Sequence, residues 1–218
     1  MPAADRLYVY ALLHDTRETM TFPDPRMELV RFGTIAAVVE RRRARPAISE
    51  RALRKQHRAV RQIHEVGDAV LPVRFGALVE RSELESVINL RRATLLRALR
   101  QVRGKAQMTI RVFGRPAEQP RVSAPIATGT DYLKARAAAT RPVVSPAADE
   151  LRRAVRGVVS AERLDPGRGS LELSIHHLVR RARLDDYRGR ADRILESAPQ
   201  LVLSGPWPPF AFAPDLWE

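Results

Sequence analysis

With 218 residues, 44% of them hydrophobic and 29% charged at a formal net charge of +13, the chain is long and apolar enough to bury one large core or two small ones. No apolar run nears the roughly 18 residues of a membrane-spanning helix, and Asp5 stands ahead of only a short apolar stretch at 7–13, so neither a membrane span nor a secretory leader is expected. The absence of cysteine excludes disulfides, thiolate nucleophiles and cysteine-ligated zinc, and it suits a reducing cytoplasm.

The first expected strand is "LYVYALL", 7–13, rich in β-branched and aromatic side chains. A turn-like stretch around Pro23, Asp24 and Pro25 separates it from a second, "TIAAVVE", at 34–40. A helix is expected from Ser49 to Val66, with Leu53, Val60 and Ile63 on one stripe and Gly67 as its stop. "AVLPVRFGALVE", 69–80, reads as a third strand. Alternation places Leu71, Val73, Phe75, Ala77 and Val79 on one face and Arg74 on the other, while Pro72 asks for a strand start, an edge or a bulge. The next helix, 83–102, carries the stripe Leu84, Val87, Ile88, Leu95, Leu99 and Val102 behind a capping box of Ser82 and Glu85. After Gly104, "AQMTIRVFG" at 106–114 forms a fourth strand. The order ββαβαβ makes residues 1–114 an α+β domain.

Residues 115–128 hold three prolines and no hydrophobic period, which reads as a linker. A second, smaller α+β domain follows at 129–204. It has a helix that Thr130 could cap and another opened by Ser145 and Pro146, with Leu151, Val155 and Val158 inward. A turn at 164–170, a strand at 171–179, a helix at 185–198 bearing Tyr187, Ala191, Ile194 and Leu195, and a strand at 200–204 complete it. The remainder, 205–218, is an extended tail. Pro206, Pro208 and Pro209 bar a helix or a central strand, yet Trp207, Phe210 and Phe212 are costly to leave in water. Either the tail packs back on the body and seals a groove between the two domains, or it offers an aromatic and proline platform to another protein.

Catalytic constellations were sought by type. His57 and His64 lie seven apart on one helix, about 10 Å along its axis and too far for shared metal ligation. His176 and His177 are strand neighbours pointing to opposite faces, which predicts one packed and one solvated ring. There is no HExxH, no phosphate loop and no GxSxG, and "GRG" at 167–169 sits in a turn. Asp185 and Asp186 stand at a helix start, where the dipole favours them. No catalytic, metal or cofactor site emerges. The positive charge raises nucleic acid as a partner, but apart from Lys55, Lys105 and Lys134 it is all arginine. The densest run, "ERRRARP" at 40–46, holds no aromatic residue to stack on a base. Arg74 stands out within an apolar strand, as an internal clamp that needs an acidic partner or as a residue that faces another protein.

In order along the chain, "YVYALL" at 8–13, "IAAVVE" at 35–40, "AVLPVRFGALVE" at 69–80, "TGTDYLKAR" at 128–136 and "LVLSGPWPPFAF" at 201–212 resemble the gas vesicle protein F/L family. The "LPVRFG" and "SGPWPP" blocks are the specific ones. The chain departs from the family in "PFAF", where "PYSF" is commoner, and in "FGTIAAVV", where "GLAAVV" is usual. The resemblance implies two α+β domains, the second ferredoxin-like, with the tail packed on the body. It also implies a cytoplasmic, non-enzymatic accessory protein at gas vesicles. Such a protein would bind the small hydrophobic shell protein, and other accessory proteins, in nucleation or assembly. Arg74, Phe75, Gly76, Trp207, Pro208 and Phe210 are then the candidates for partner binding or for clamping the fold. A basic nucleic-acid-binding module, or an enzyme without a linear motif, is the alternative.

The domain division predicts where proteases act. Trypsin should cut first at Arg121, because exposed irregular segments are nicked before helices and strands and the other two arginines there, Arg115 and Arg141, each precede a proline that blocks cleavage. Fragment masses would show it, and first cuts within 83–102 would overturn the division.

Overall fold

The computed structural model describes residues 6–14, 20–22, 24–114 and 145–217. No charged position interrupts Leu7 to Leu13, so this segment is stable as a strand only where both faces are covered. Strand β1 (Arg6–His14) is accordingly buried from Leu7 through Leu13. It pairs antiparallel with β3 (Ile35–Arg42) on one side and with β4 (Val70–Pro72) and β5 (Leu78–Val79) on the other. β2 (Met27–Phe32), absent from the sequence expectation, is joined to β3 through Gly33, whose φ of +69° suits a residue without a Cβ. β2 is an edge strand, and its pattern is broken by Glu28 and Arg31, so periodicity did not reveal it.

The register of β1 against β3 shifts between Val9 and Ala11, a bulge at Tyr10. The extra residue resets the alternation, so Tyr8 and Tyr10 before it and Ala11 and Leu13 after it join one core cluster. Ala59, Val60 and Ile63 of helix α1 (Glu50–Val66) complete that cluster. Both ends of α1 are as expected: Ser49 Oγ accepts from the Ala52 amide at 3.2 Å, and the Gly67 amide closes on the Ile63 carbonyl at 2.9 Å.

The single helix expected over 83–102 is two, α2 (Arg81–Leu90) and α3 (Arg92–Val102), separated at Arg91. Its apolar stripe is buried at Leu84, Ile88, Leu95, Leu99 and Val102, while Val87 is only half-buried. The capping box does not form. The helix starts earlier, with Glu80 at the cap, so Ser82 already lies inside the first turn and its carbonyl accepts from Ser86 Oγ. A larger correction concerns β6 (Lys105–Phe113). This strand, expected in the first domain, sits inside a second sheet, because Met108, Ile110 and Val112 pack into that sheet's core.

The second sheet has the order β7-β8-β6-β9, with β7 (Val159–Pro166), β8 (Leu171–Arg180) and β9 (Leu201–Trp207). Helices α4 (Pro146–Val155) and α5 (Leu184–Leu195) supply Leu151, Val155, Tyr187 and Ala191 to its core. Ser145 caps α4 as expected, accepting from the Ala148 amide at 3.3 Å. β7 replaces part of an expected turn. It is an edge strand whose residues are mostly half-exposed, so it lacked an apolar face to read. The succession β-α-β-β-α-β and this strand order are compatible with the ferredoxin-like expectation. By contacts the chain forms two units, residues 1–107 with 207–218 and residues 108–206. The expected linker and the helix at Thr130 lie outside the described residues.

One polar chain crosses the second core. His177 is 1% exposed, with Nδ1 2.8 Å from the Tyr187 hydroxyl and Nε2 2.9 Å from Glu162 Oε2. Arg152 grips both oxygens of Glu162 and holds its carboxyl at about 2, below the usual range, with His177 helping against the effect of burial. An ionised Glu162 only accepts, so His177 carries its proton on Nε2 and takes the Tyr187 hydrogen on Nδ1. Burial keeps His177 neutral despite the carboxylate, lowering its pKa. His176 points the other way and is half-buried rather than solvated, against Thr109 Oγ1 at 3.1 Å.

Both shifts weaken the fold in acid. His177 binds its proton less readily folded than unfolded, so its contribution is complete above about 6.5 and is lost as the pH falls. Glu162 contributes above its ordinary value near 4.5 and loses this towards about 2. The melting midpoint should therefore fall from about pH 7 to 5 and again below about pH 4. An NMR titration that placed the His177 midpoint at or above the ordinary histidine value would contradict this account.

Candidate partner-binding groove

The site is assembled where pairing along β1 is interrupted. Val73 donates its amide to the Tyr10 carbonyl and Val9 donates to the Ala77 carbonyl, each at 2.9 Å, so β1 keeps its partners on either side of a loop at 74–76. The continuous third strand of the sequence expectation is thus split into β4 and β5, and the alternation inferred for 71–79 does not hold. Gly76 makes the turn at φ +90°, a conformation costly for any side chain, and gives its amide to the Tyr8 hydroxyl at 3.2 Å. Phe75 lies edge-on to Tyr8 with ring centres 6.4 Å apart.

Arg74 is not a buried strand residue. Its side chain is 77% exposed and pairs with Asp215 of the tail, whose own side chain is 15% exposed. The tail belongs to the first unit from Trp207 onward. Trp207 meets His57 edge-on at 5.3 Å, and Phe210 stacks on the same imidazole at 6.1 Å and 12°. Arg61 lies over the Trp207 ring at 6.0 Å. Pro208, Pro209 and Leu216 are buried, the Ala211 amide donates to Gln107 Oε1 at 2.8 Å, and Arg91 reaches the Asp215 carbonyl at 2.8 Å. The tail therefore packs on the first unit and helps to build a surface there.

Between α1, the loop and the tail runs an open groove of about 750 Å³. Leu53, Val73, Phe75 and Phe210 give it an apolar lining, and Arg54, Arg58 and Arg61 stand along its α1 side. Leu53, expected on the inward stripe of α1, is 45% exposed here, one turn before the buried run begins at Gln56. Gln56 is buried beneath. Its amide donates to the Val73 carbonyl at 3.3 Å, while its Oε1 meets no donor among the described residues. Burial, and then the charge of Arg61, lowers the pKa of His57 and leaves it neutral near pH 7. Of the six candidate residues, Phe75 and Phe210 line the groove, and Trp207 borders it through His57 and Arg61. Gly76 sets the loop, Pro208 is buried and Arg74 fastens the tail. The α1 ridge was missed, because arginines on a helix read as a solvated face. Leu53 one turn before His57 was its only sequence signal.

No group of histidine, cysteine, aspartate and glutamate suited to a metal occurs among the described residues, and none of their helices is long and apolar enough to cross a membrane. The fold is that of two solved gas vesicle proteins. GvpF from Anabaena sp. PCC7120 superposes with a TM-score of 0.70 at 12% identity, over 97% of this chain and 99% of that one. GvpF from Microcystis aeruginosa gives 0.72 at 13%, over 97% and 100%. The gas vesicle synthesis protein GvpL/GvpF family matches residues 6–214, and the chain belongs to it. No curated protein matches the sequence significantly.

The tail contacts differ sharply in expected strength. Arg74→Ala removes an exposed ion pair and should cost less than about 1 kcal/mol. Leu216→Ala empties a buried position and should cost about 2–5 kcal/mol. Chemical denaturation of the two variants would measure both, and equal losses would refute apolar docking as the main hold on the tail.

Proposed function

We propose that the chain is a non-enzymatic accessory protein that binds the hydrophobic gas vesicle shell protein and assists vesicle nucleation or assembly. Its setting is the cytoplasm at the growing vesicle, with other gas vesicle accessory proteins as further partners. Family membership supports the vesicle context. The observation that carries the binding role is where the two specific sequence blocks meet. Val73 and Phe75 of one line the groove, Trp207 of the other borders it, and the adjoining Phe210 completes its lining. An open apolar groove beside arginines suits a partner that is itself apolar and prone to aggregate before assembly. Contact of this kind is modest and reversible, as a helper that must release its client requires.

Co-expression tests this reading. The folded chain, captured by an affinity tag, should retain the shell protein and raise its soluble fraction. Verified expression of the shell protein with none retained would sink the assignment.

A further inference from the structure

The α1 side of the groove restricts what can lie in it. Leu53, His57, Arg61 and Glu65 follow at four-residue spacing, so this ridge is three turns and about 18 Å long. Apart from the last-turn carbonyls, the backbone groups on that side belong to a helix and are bonded within it. An extended segment laid there would find no partners for its own amides and carbonyls, whereas a helix brings them satisfied. A helix also packs naturally against a four-residue ridge.

The charges restrict it further. Arg54, Arg58 and Arg61 line the groove against Glu65 alone. Arg54 is offset by Glu50 and Arg61 by Glu65, but Arg58 pairs with no carboxylate among the described residues. His57 adds no charge near neutral pH. The apolar surface left to cover includes Leu53 at 45% exposure and Phe210 at 37%.

We propose that this groove takes an amphipathic helix that sets an aliphatic face on Leu53, Phe75 and Phe210 and runs a flank of Asp or Glu along Arg54 and Arg58. It deepens the accessory reading and rests on it for the owner of that helix, the hydrophobic client. Two helices related by ridges and grooves, with carboxylates over arginines on one side only, also fix the direction in which the client lies.

Fluorescence anisotropy of labelled peptides on the full chain reads this directly. Two helical peptides of about 18 residues, five turns, share a leucine face and differ in the flank, Glu in one and Lys in the other. At low salt the wild-type chain should bind the Glu peptide about tenfold more tightly, the sum of a few exposed charge pairs. Arg54→Glu with Arg58→Glu should invert that order, and Leu53→Asp should weaken both peptides. All three positions are exposed, and unchanged melting midpoints would verify the fold. Equal affinity for the two peptides, a preference unmoved by the double variant, or binding unaltered by Leu53→Asp each overturns the proposal. Retention of the shell protein separates the two readings. A wild-type chain that prefers the Glu peptide but retains no shell protein keeps the groove's chemistry and loses the accessory function. Retention without a peptide preference does the reverse.

Discussion

The first unit depends on a strand that is buried on both faces and out of step with its neighbours. β1 carries a bulge at Tyr10 against β3, and along its other edge the pairing is broken between β4 and β5. Val73 and Ala77 stay bonded to β1 at the margins, so the three residues between them must leave the sheet. Gly76 permits the reversal and the Tyr8 hydroxyl holds it. Phe75 and Arg74 are displayed at the surface as a consequence of this local geometry, one toward the groove and one toward the tail.

The tail completes what the loop begins. A stretch with three closely spaced prolines offers few amide donors, so it cannot be held by a ladder of backbone bonds alone. Residues 206 and 207 end an edge strand, the position in a sheet that tolerates proline. Beyond it the hold passes to ring contacts on His57, to a bond from the Ala211 amide to Gln107 and to one from Arg91 to the Asp215 carbonyl. Prolines keep their rigidity without a ladder, which lets Phe210 remain 37% exposed at a defined place.

Much of this was legible in the sequence, and the failures have physical causes. Strands with uninterrupted apolar runs, β1 and β3, and the helix α1 were read nearly to the residue, and α4 at its capped start, because local signals and burial agree there. β2 and β7 were missed as sheet edges, where one side needs no apolar face. Ser82 and Glu85 match a capping pattern, but the helix begins before them, and a pattern cannot say which turn is first. β6 was given to the wrong sheet because strand order depends on pairing across the chain rather than on neighbours in it. The groove was half legible. Trp207 and Phe210 stood out as costly aromatic positions and Phe75 through the family resemblance, whereas Leu53 was expected on the inward stripe and Arg54 and Arg58 drew no notice on the helix surface.

The arginine excess takes on a different meaning once its partners are seen. Each unit carries a buried tyrosine whose hydroxyl leads through an acceptor to an arginine. Tyr10 donates to Glu40 Oε2 at 2.6 Å and Arg42 to the same oxygen at 2.8 Å, and in the second unit Tyr187, His177, Glu162 and Arg152 form the longer version. Burial works against an ionised Glu40, yet the bonds from Arg42 and Tyr10 hold its pKa below the usual value. Such a network gains little net energy over an apolar core of the same shape. Its effect is selective. Glu40 stands opposite Tyr8 in the register, and Tyr10, two residues on and on the same face, gives its hydroxyl to the same carboxylate. A slip of one residue would turn the β1 apolar set over and leave a buried carboxylate without one of its donors, and the penalty for that exceeds the bond itself. The arginine that neutralises Glu40 thereby helps to fix the register of β1 against β3.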